Sequence, residues 1–192
     1  MVKVQRLFAK TNLKIPIFRD ERICSTKRNL WRYGMVGTQE KIQLLLRIAH
    51  RLNEAHVEWA LGASMLLYFK GITSEFHDID LMVAECNTEC VRTILSKMGE
   101  FCPSDSNPTP MYRPKTFMGF LIDSVEVDVM AGFAIVKDEK VYDCALRKEQ
   151  IVEKMLLGKE VIQLQSPLLW CKYYRLMGRP EKAEMIEKAI DR

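Results

Sequence analysis

Two aspartates one residue apart, Asp78 and Asp80, open the run Asp78-Ile79-Asp80-Leu81-Met82-Val83. On a strand that spacing sends both carboxylates out of one face and sends Ile79 and Leu81 into the core. Like charges held so close are costly unless a cation neutralises them, and oxygen-only ligands suit Mg²⁺ or Mn²⁺ rather than a softer metal. A further acid pair, Glu126 and Asp128, alternates with Val125, Val127 and Val129. If that strand lies beside the first, three carboxylates, Asp78, Asp80 and Asp128, converge and suffice for two metal ions serving phosphoryl chemistry. Upstream, Gly62-Ala63-Ser64 breaks an apolar strand and opens a helix, with Ser64 as the expected N-cap. The backbone N–H groups of that turn, the Ser64 hydroxyl and the helix dipole form a cradle for a triphosphate. Glu126 is read either as a general base or as a solvated carboxylate, and His77 as a phosphate contact or an exposed loop residue.

These residues need a scaffold, and the pattern supplies one. Residues 38–55 carry Ile42, Leu45, Leu46, Ala49 and Leu52 at helical spacing. A short buried strand is expected at 56–61, a helix at 65–70 and a loop at 71–77, before the aspartate strand at 78–83. A second amphipathic helix spans 88–98 and stops at Gly99. Four prolines between 102 and 114 mark a loop. Residues 117–122 and 125–130 flank Asp123-Ser124 as a hairpin, and 133–136 with 140–142 form another. The stretch 151–157 fits helix or strand, followed by a turn at Gly158-Lys159 and an apolar run at 161–164. Ser166 and Pro167 then open a helix to about Met177 and Gly178, and a last helix runs from Pro180 to Ile190.

The chain has 192 residues, 48% of them hydrophobic and 28% charged, which is the length and make-up of one globular domain and excludes disorder, collagen and coiled coil. No apolar stretch approaches the roughly 18 residues of a membrane-spanning helix, so the expectation is a protein with no membrane partner. Six cysteines without a C-x-x-C pair and only three histidines leave no plausible zinc site. They suggest reduced thiols and a cytoplasmic location. The net charge of +4 is uneven: residues 1–36 hold nine Lys or Arg against Asp20 and Glu21. That basic arm is read as a solvated extension or as a contact for RNA phosphates.

The stretch LGASMLLYFKGITSEFHDIDLMV (61–83), followed by VEVDVMAGF (125–133), resembles the nucleotidyltransferase superfamily that includes polymerase β. The likeness is greatest to its small bacterial members, which are antibiotic-modifying enzymes and abortive-infection toxins. The resemblance implies an α/β (α+β) nucleotidyltransferase fold, a mixed β-sheet flanked by helices with C-terminal helices. The likeness covers about residues 38–190, which gives a catalytic domain at 38–165 and a C-terminal helical pair at 166–192 and leaves a basic N-terminal extension at 1–37 unmatched. Its motif roles carry over to Gly62 and Ser64 for phosphates and to Asp78, Asp80 and Asp128 for catalysis and metal. In the tail SPLLWCKYYRLMGRPEKAEMIE (166–187) they carry over to Lys172 as a further nucleotide contact. The implied reaction moves a nucleoside monophosphate from an NTP to a hydroxyl, with Mg²⁺ or Mn²⁺ as cofactor. The acceptor is read as a small molecule such as an antibiotic. For toxin-type relatives it would be RNA or a protein, with an antitoxin as partner protein, and an inactive nucleotide-binding module is a third reading. The chain departs from the pattern at Ala63, at Glu75-Phe76-His77 ahead of the aspartates and at Lys182, where relatives often carry Asp.

Overall fold

The computed structural model describes residues 36–103 and 111–191, so the basic arm and the centre of the proline-rich loop lie outside the described residues. Helix α1 (Thr38–Glu54) buries Ile42, Leu44, Leu45, Ile48, Ala49 and Leu52. It packs on helix α3 (Thr88–Ser96), which buries Val91 and Leu95. Between them in sequence come strand β1 (Trp59–Leu61), helix α2 (Ala63–Phe69) and strand β2 (Ile79–Val83). Strands β3 (Glu100–Cys102), β4 (Thr116–Ile122) and β5 (Val125–Ala131) follow, then β8 (Ile151–Leu157) and β9 (Glu160–Gln165). These seven strands form one mixed sheet in the order β3-β4-β5-β2-β1-β9-β8. A separate two-stranded ribbon joins β6 (Ala134–Lys137) to β7 (Lys140–Asp143). Helices α4 (Pro167–Leu176) and α5 (Pro180–Ile190) pack on each other, with α4 also against α2 and β6.

The hairpin turns explain themselves by backbone. Asp123 and Ser124 have φ of 50° and 63°, and Asp138 and Glu139 have 50° and 62°. Two successive left-handed residues twist the chain as antiparallel strands require, and Asp tolerates that region better than most residues. The stretch 151–165, ambiguous by pattern, is the β8–β9 hairpin with Gly158 in the turn at φ +61°.

Three expectations need correction. Gly62, not Ser64, is the N-cap of α2, so Ser64 lies inside the first turn with its hydroxyl turned elsewhere. The strand expected from His56 begins only at Trp59, because His56 takes a φ of 53° to turn the chain out of α1. The expected loop from 102 begins one residue later: Glu100–Cys102 is β3, paired with β4 through Phe101 opposite Phe120. Three residues between Gly99 and Pro103 carry no period of their own, so only that non-local pairing makes them a strand.

Candidate active site

The sheet order places β2 beside β5, parallel and in a register that sets Asp80 opposite Asp128. Ile79, Leu81, Val127 and Val129 are fully buried on one face, leaving the alternate positions to the acids. Asp78 stands one step before β2. One carboxylate oxygen from each of Asp78, Asp80 and Asp128 lies within 4.8 Å of the others, and all three residues are half-buried. The convergence that alternation allowed is therefore present.

Electrostatics follow from that crowding. The Asp80 carboxyl is held well above the usual carboxylate range, first by burial and then by the neighbouring Asp78 and Asp128, with Lys182 and Arg179 opposing the shift. Lys41 of α1 lies on the other flank. Burial lowers its ammonium, while Asp78 partly restores it. Its Nζ donates to the Phe76 carbonyl at 3.4 Å and sits 5.6 Å from the Phe76 ring centroid.

The Gly62–Ser64 turn abuts the acids directly. The Gly62 amide donates to the Asp80 carbonyl at 3.0 Å, and the Ser64 hydroxyl donates to Asp78 Oδ1 at 3.4 Å. Gly62 has extended backbone, φ −121° and ψ −166°, which any residue adopts. Space, not conformation, requires glycine there: an added Cβ would stand 2.4 Å from Trp170 Cζ2.

Lys172 is exposed on α4. Two residues along a helix is about 200° of rotation, so it leaves the side opposite Tyr174. Tyr174 is the α4 residue that meets the acids: its buried phenol is pushed far up, by burial first and then by Asp80, with Arg179 opposing. Lys182 Nζ stands 5.2 Å from the Tyr174 ring centroid, and the Arg179 amide donates to the Tyr174 carbonyl at 2.8 Å. Arg179 and Lys182 were not singled out as site residues from sequence. Their signal was the helix break at Gly178 and Pro180, which turns the chain back beside Tyr174. Gly119 was also missed. It pairs with Asp128 across β4–β5, and a Cβ there would lie 3.2 Å from the Cys102 carbonyl and 3.8 Å from Asp128 Oδ1. A glycine inside a strand marks such close approach. Glu126 and His77 are both exposed, with Glu126 two residues ahead of Asp128 on its face.

The donor set fits a divalent ion. Three clustered carboxylates supply only oxygen, and burial together with Asp78 and Asp128 raises Asp80 despite Lys182 and Arg179.

Comparison with solved structures agrees with this architecture. The chain is similar to a Thermotoga maritima protein provisionally described as a nucleotidyltransferase, with 22% identity, TM-score 0.62, and coverage of 83% of this chain and 98% of that one. It is similar to ANT(2″)-Ia in complex with adenylyl-2″-tobramycin, at 12% identity, TM-score 0.54, and coverage of 79% and 90%. A solution structure of the same antibiotic-resistance factor gives 12% identity, TM-score 0.56, and coverage of 80% and 86%. These likenesses define the class: the chain has the nucleotidyltransferase fold, α+β, a mixed sheet flanked by helices with two helices at its C-terminal end. A family profile described as "Far upstream element-binding protein, C-terminal" matches residues 168–192, far less than half of the chain. No curated protein matches the sequence. No helix among the described residues is long and apolar enough to cross a membrane.

Proposed function

We propose that this chain is a divalent-metal-dependent nucleotidyltransferase. It moves a nucleoside monophosphate from an NTP to the hydroxyl of a small-molecule acceptor, an antibiotic-like compound being the first to test, and releases pyrophosphate. The supporting observation is the set of three carboxylates from β2 and β5, within 4.8 Å of one another and bonded through Asp78 to the Gly62–Ser64 turn. The reading is also supported by fold likeness to ANT(2″)-Ia, whose structure contains an adenylylated antibiotic.

In this reading Asp78, Asp80 and Asp128 hold the metal. When bound, Mg²⁺ or Mn²⁺ supplies charge neutralisation for the triphosphate and lowers the pKa of the acceptor hydroxyl. The chain's own residues mainly position the reactants. Ser64 and the amides of the first α2 turn receive phosphate oxygens. Arg179 and Lys182, beside Asp80, take the remaining phosphate charge, and Tyr174 holds that corner in place. Gly119 lets β3 and β5 approach on either side of β4, beside Asp128. The acceptor oxygen bonds to the α-phosphorus as the bond to pyrophosphate breaks, and Glu126, exposed two residues ahead of Asp128 on the same face of β5, takes the departing proton. Residues 38–165 are the catalytic domain and 166–192 a helical pair that completes its phosphate side.

The test is incubation with Mg²⁺, each of the four α-labelled NTPs and a panel of aminoglycosides, lincosamides and tRNA. A labelled small-molecule product with stoichiometric pyrophosphate is expected. Labelled tRNA in its place would replace the acceptor class, and the lack of any transfer together with no Mg²⁺-dependent NTP binding would contradict the enzyme reading.

A further inference from the structure

The requirement for glycine at position 62 comes from one side chain. Trp170 is buried, and its indole fills the volume that a Gly62 side chain would occupy, with Cζ2 at 2.4 Å, Cε2 at 2.9 Å and Nε1 at 3.1 Å from that Cβ position. The next residue, Ala63, takes φ +43°, a left-handed conformation that a non-glycine residue holds only when its surroundings impose it. Those surroundings are specific. The Gly62 amide is tied to the Asp80 carbonyl at 3.0 Å on one side, and the indole fills the other.

The indole itself is firmly seated. Its Nε1–H donates to Gln165 Oε1 at 2.9 Å, and its ring packs against Tyr173 and Tyr174 with centroids 5.5 and 5.6 Å away. Gln165 is the one fully buried polar side chain among the described residues, and its Nε2 has no partner there. Burying an amide that satisfies only its oxygen is costly, and packing alone would be served as well by an apolar residue. What the glutamine adds is a fixed indole orientation.

We propose that Trp170, oriented by Gln165, is a positioning residue for the nucleotide. The rigid indole forms the floor of the Gly62–Ser64 turn and sets the distance between the phosphate-binding amides and the carboxylates of Asp78 and Asp80. The indole touches no reacting atom and acts through Gly62. This inference rests on the proposed nucleotide site, and the experiment separates the two.

The experiment measures calorimetric binding of Mg-ATP, Mg-GTP, Mg-CTP and Mg-UTP to the wild-type chain, then of the tightest of the four to variants with native circular dichroism. Trp170→Phe should weaken binding roughly tenfold. Gln165→Leu, which keeps the indole and removes its tether, should weaken it about threefold and serves alone should Trp170→Phe not fold. Gly62→Ala should cost at least about tenfold in the wild-type background, and less than about threefold beside Trp170→Phe, whose shorter ring makes room for the added methyl. In the nucleotide-free protein, Trp170→Phe should speed amide exchange at residues 62–64 while leaving residues 127–129 unchanged. Variants that bind nucleotide as the wild type does and lose only melting temperature would overturn the proposal, as would a Gly62→Ala cost equal in both backgrounds. A wild-type chain that binds none of the four would overturn the nucleotide site itself, and with it this role.

Discussion

The centre and the edge of the sheet place their acids in opposite ways. At the centre, β2 and β5 bring Asp78, Asp80 and Asp128 together, and the dominant neighbours of Asp80 beyond burial are two more carboxylates. At the β8–β9 edge each acid meets a nitrogen donor rather than another acid: Glu153 takes the Lys70 ammonium at 2.5 Å, and Glu160 takes the His50 ring at 3.0 Å. The tail follows the edge, since Arg175 pins Glu187 at 2.5 Å. Exposed pairs of that kind add little, typically 0–1 kcal/mol, and any surface can carry them. The central cluster works against folding stability, and in the proposed function a divalent ion held there would convert that cost into binding free energy.

The sharpest break in this contrast is at the centre. Asp80→Asn and Asp128→Asn should each lower transfer by about 10²–10³-fold, the scale of losing a transition-state electrostatic contact, measured as pyrophosphate release. The same Asp80→Asn should raise the melting temperature of the metal-free protein at pH 7, by about 2–4 °C per kcal/mol of repulsion relieved. The sign follows from the raised carboxyl. A folded-state pKa above the unfolded one makes stability fall as pH rises through that interval, so at neutral pH the charged form is a net cost. A melting temperature that drops on this substitution would contradict the account of the cluster.

Next come the cations. Lys182→Ala should weaken nucleotide binding by about tenfold, whereas Lys172→Ala should leave it within about twofold, as read by calorimetry. The reverse order would move the phosphate corner from the α4–α5 turn back to the exposed face of α4. Smallest is the edge. Glu153→Ala should change stability by no more than about 0.5 kcal/mol in urea unfolding. Glu187 is held below the usual carboxylate range, mainly by its hydrogen bond to Arg175, so the bond stabilises the fold above the unfolded pKa of about 4.3 and is lost as pH falls through the lowered value. Glu187→Gln should therefore flatten part of the acid limb of stability against pH, removing the small contribution of this exposed pair at pH 7 and changing little at pH values below the lowered one.

How much of this was legible in the sequence depends on how local each signal is. Asp78 and Asp80 could be read outright, because two-residue alternation with Ile79 and Leu81 assigns their face without any partner. Asp128 was legible only as a condition, since alternation orients it but strand order is a long-range choice. Ser64 was read as a cap from its position before an apolar run, yet Gly62 caps the helix and Ser64 turns to Asp78, a preference set by the adjacent strand. Arg179, Lys182 and Gly119 could not be assigned from periodicity, because each gains meaning from an element distant in the chain: Tyr174 and Asp80 for the two cations, Asp128 and Cys102 for the glycine. Gly62 is named by its motif as a phosphate contact, whereas the spatial reason for a glycine there lies more than a hundred positions downstream, at Trp170.

The most direct test of the central claim is anomalous diffraction from crystals grown with Mn²⁺ and a non-hydrolysable NTP analogue. Manganese peaks coordinated by Asp78, Asp80 and Asp128, with the triphosphate reaching Ser64, are the expected result. Density for the nucleotide elsewhere, or manganese bound away from all three acids, would contradict it.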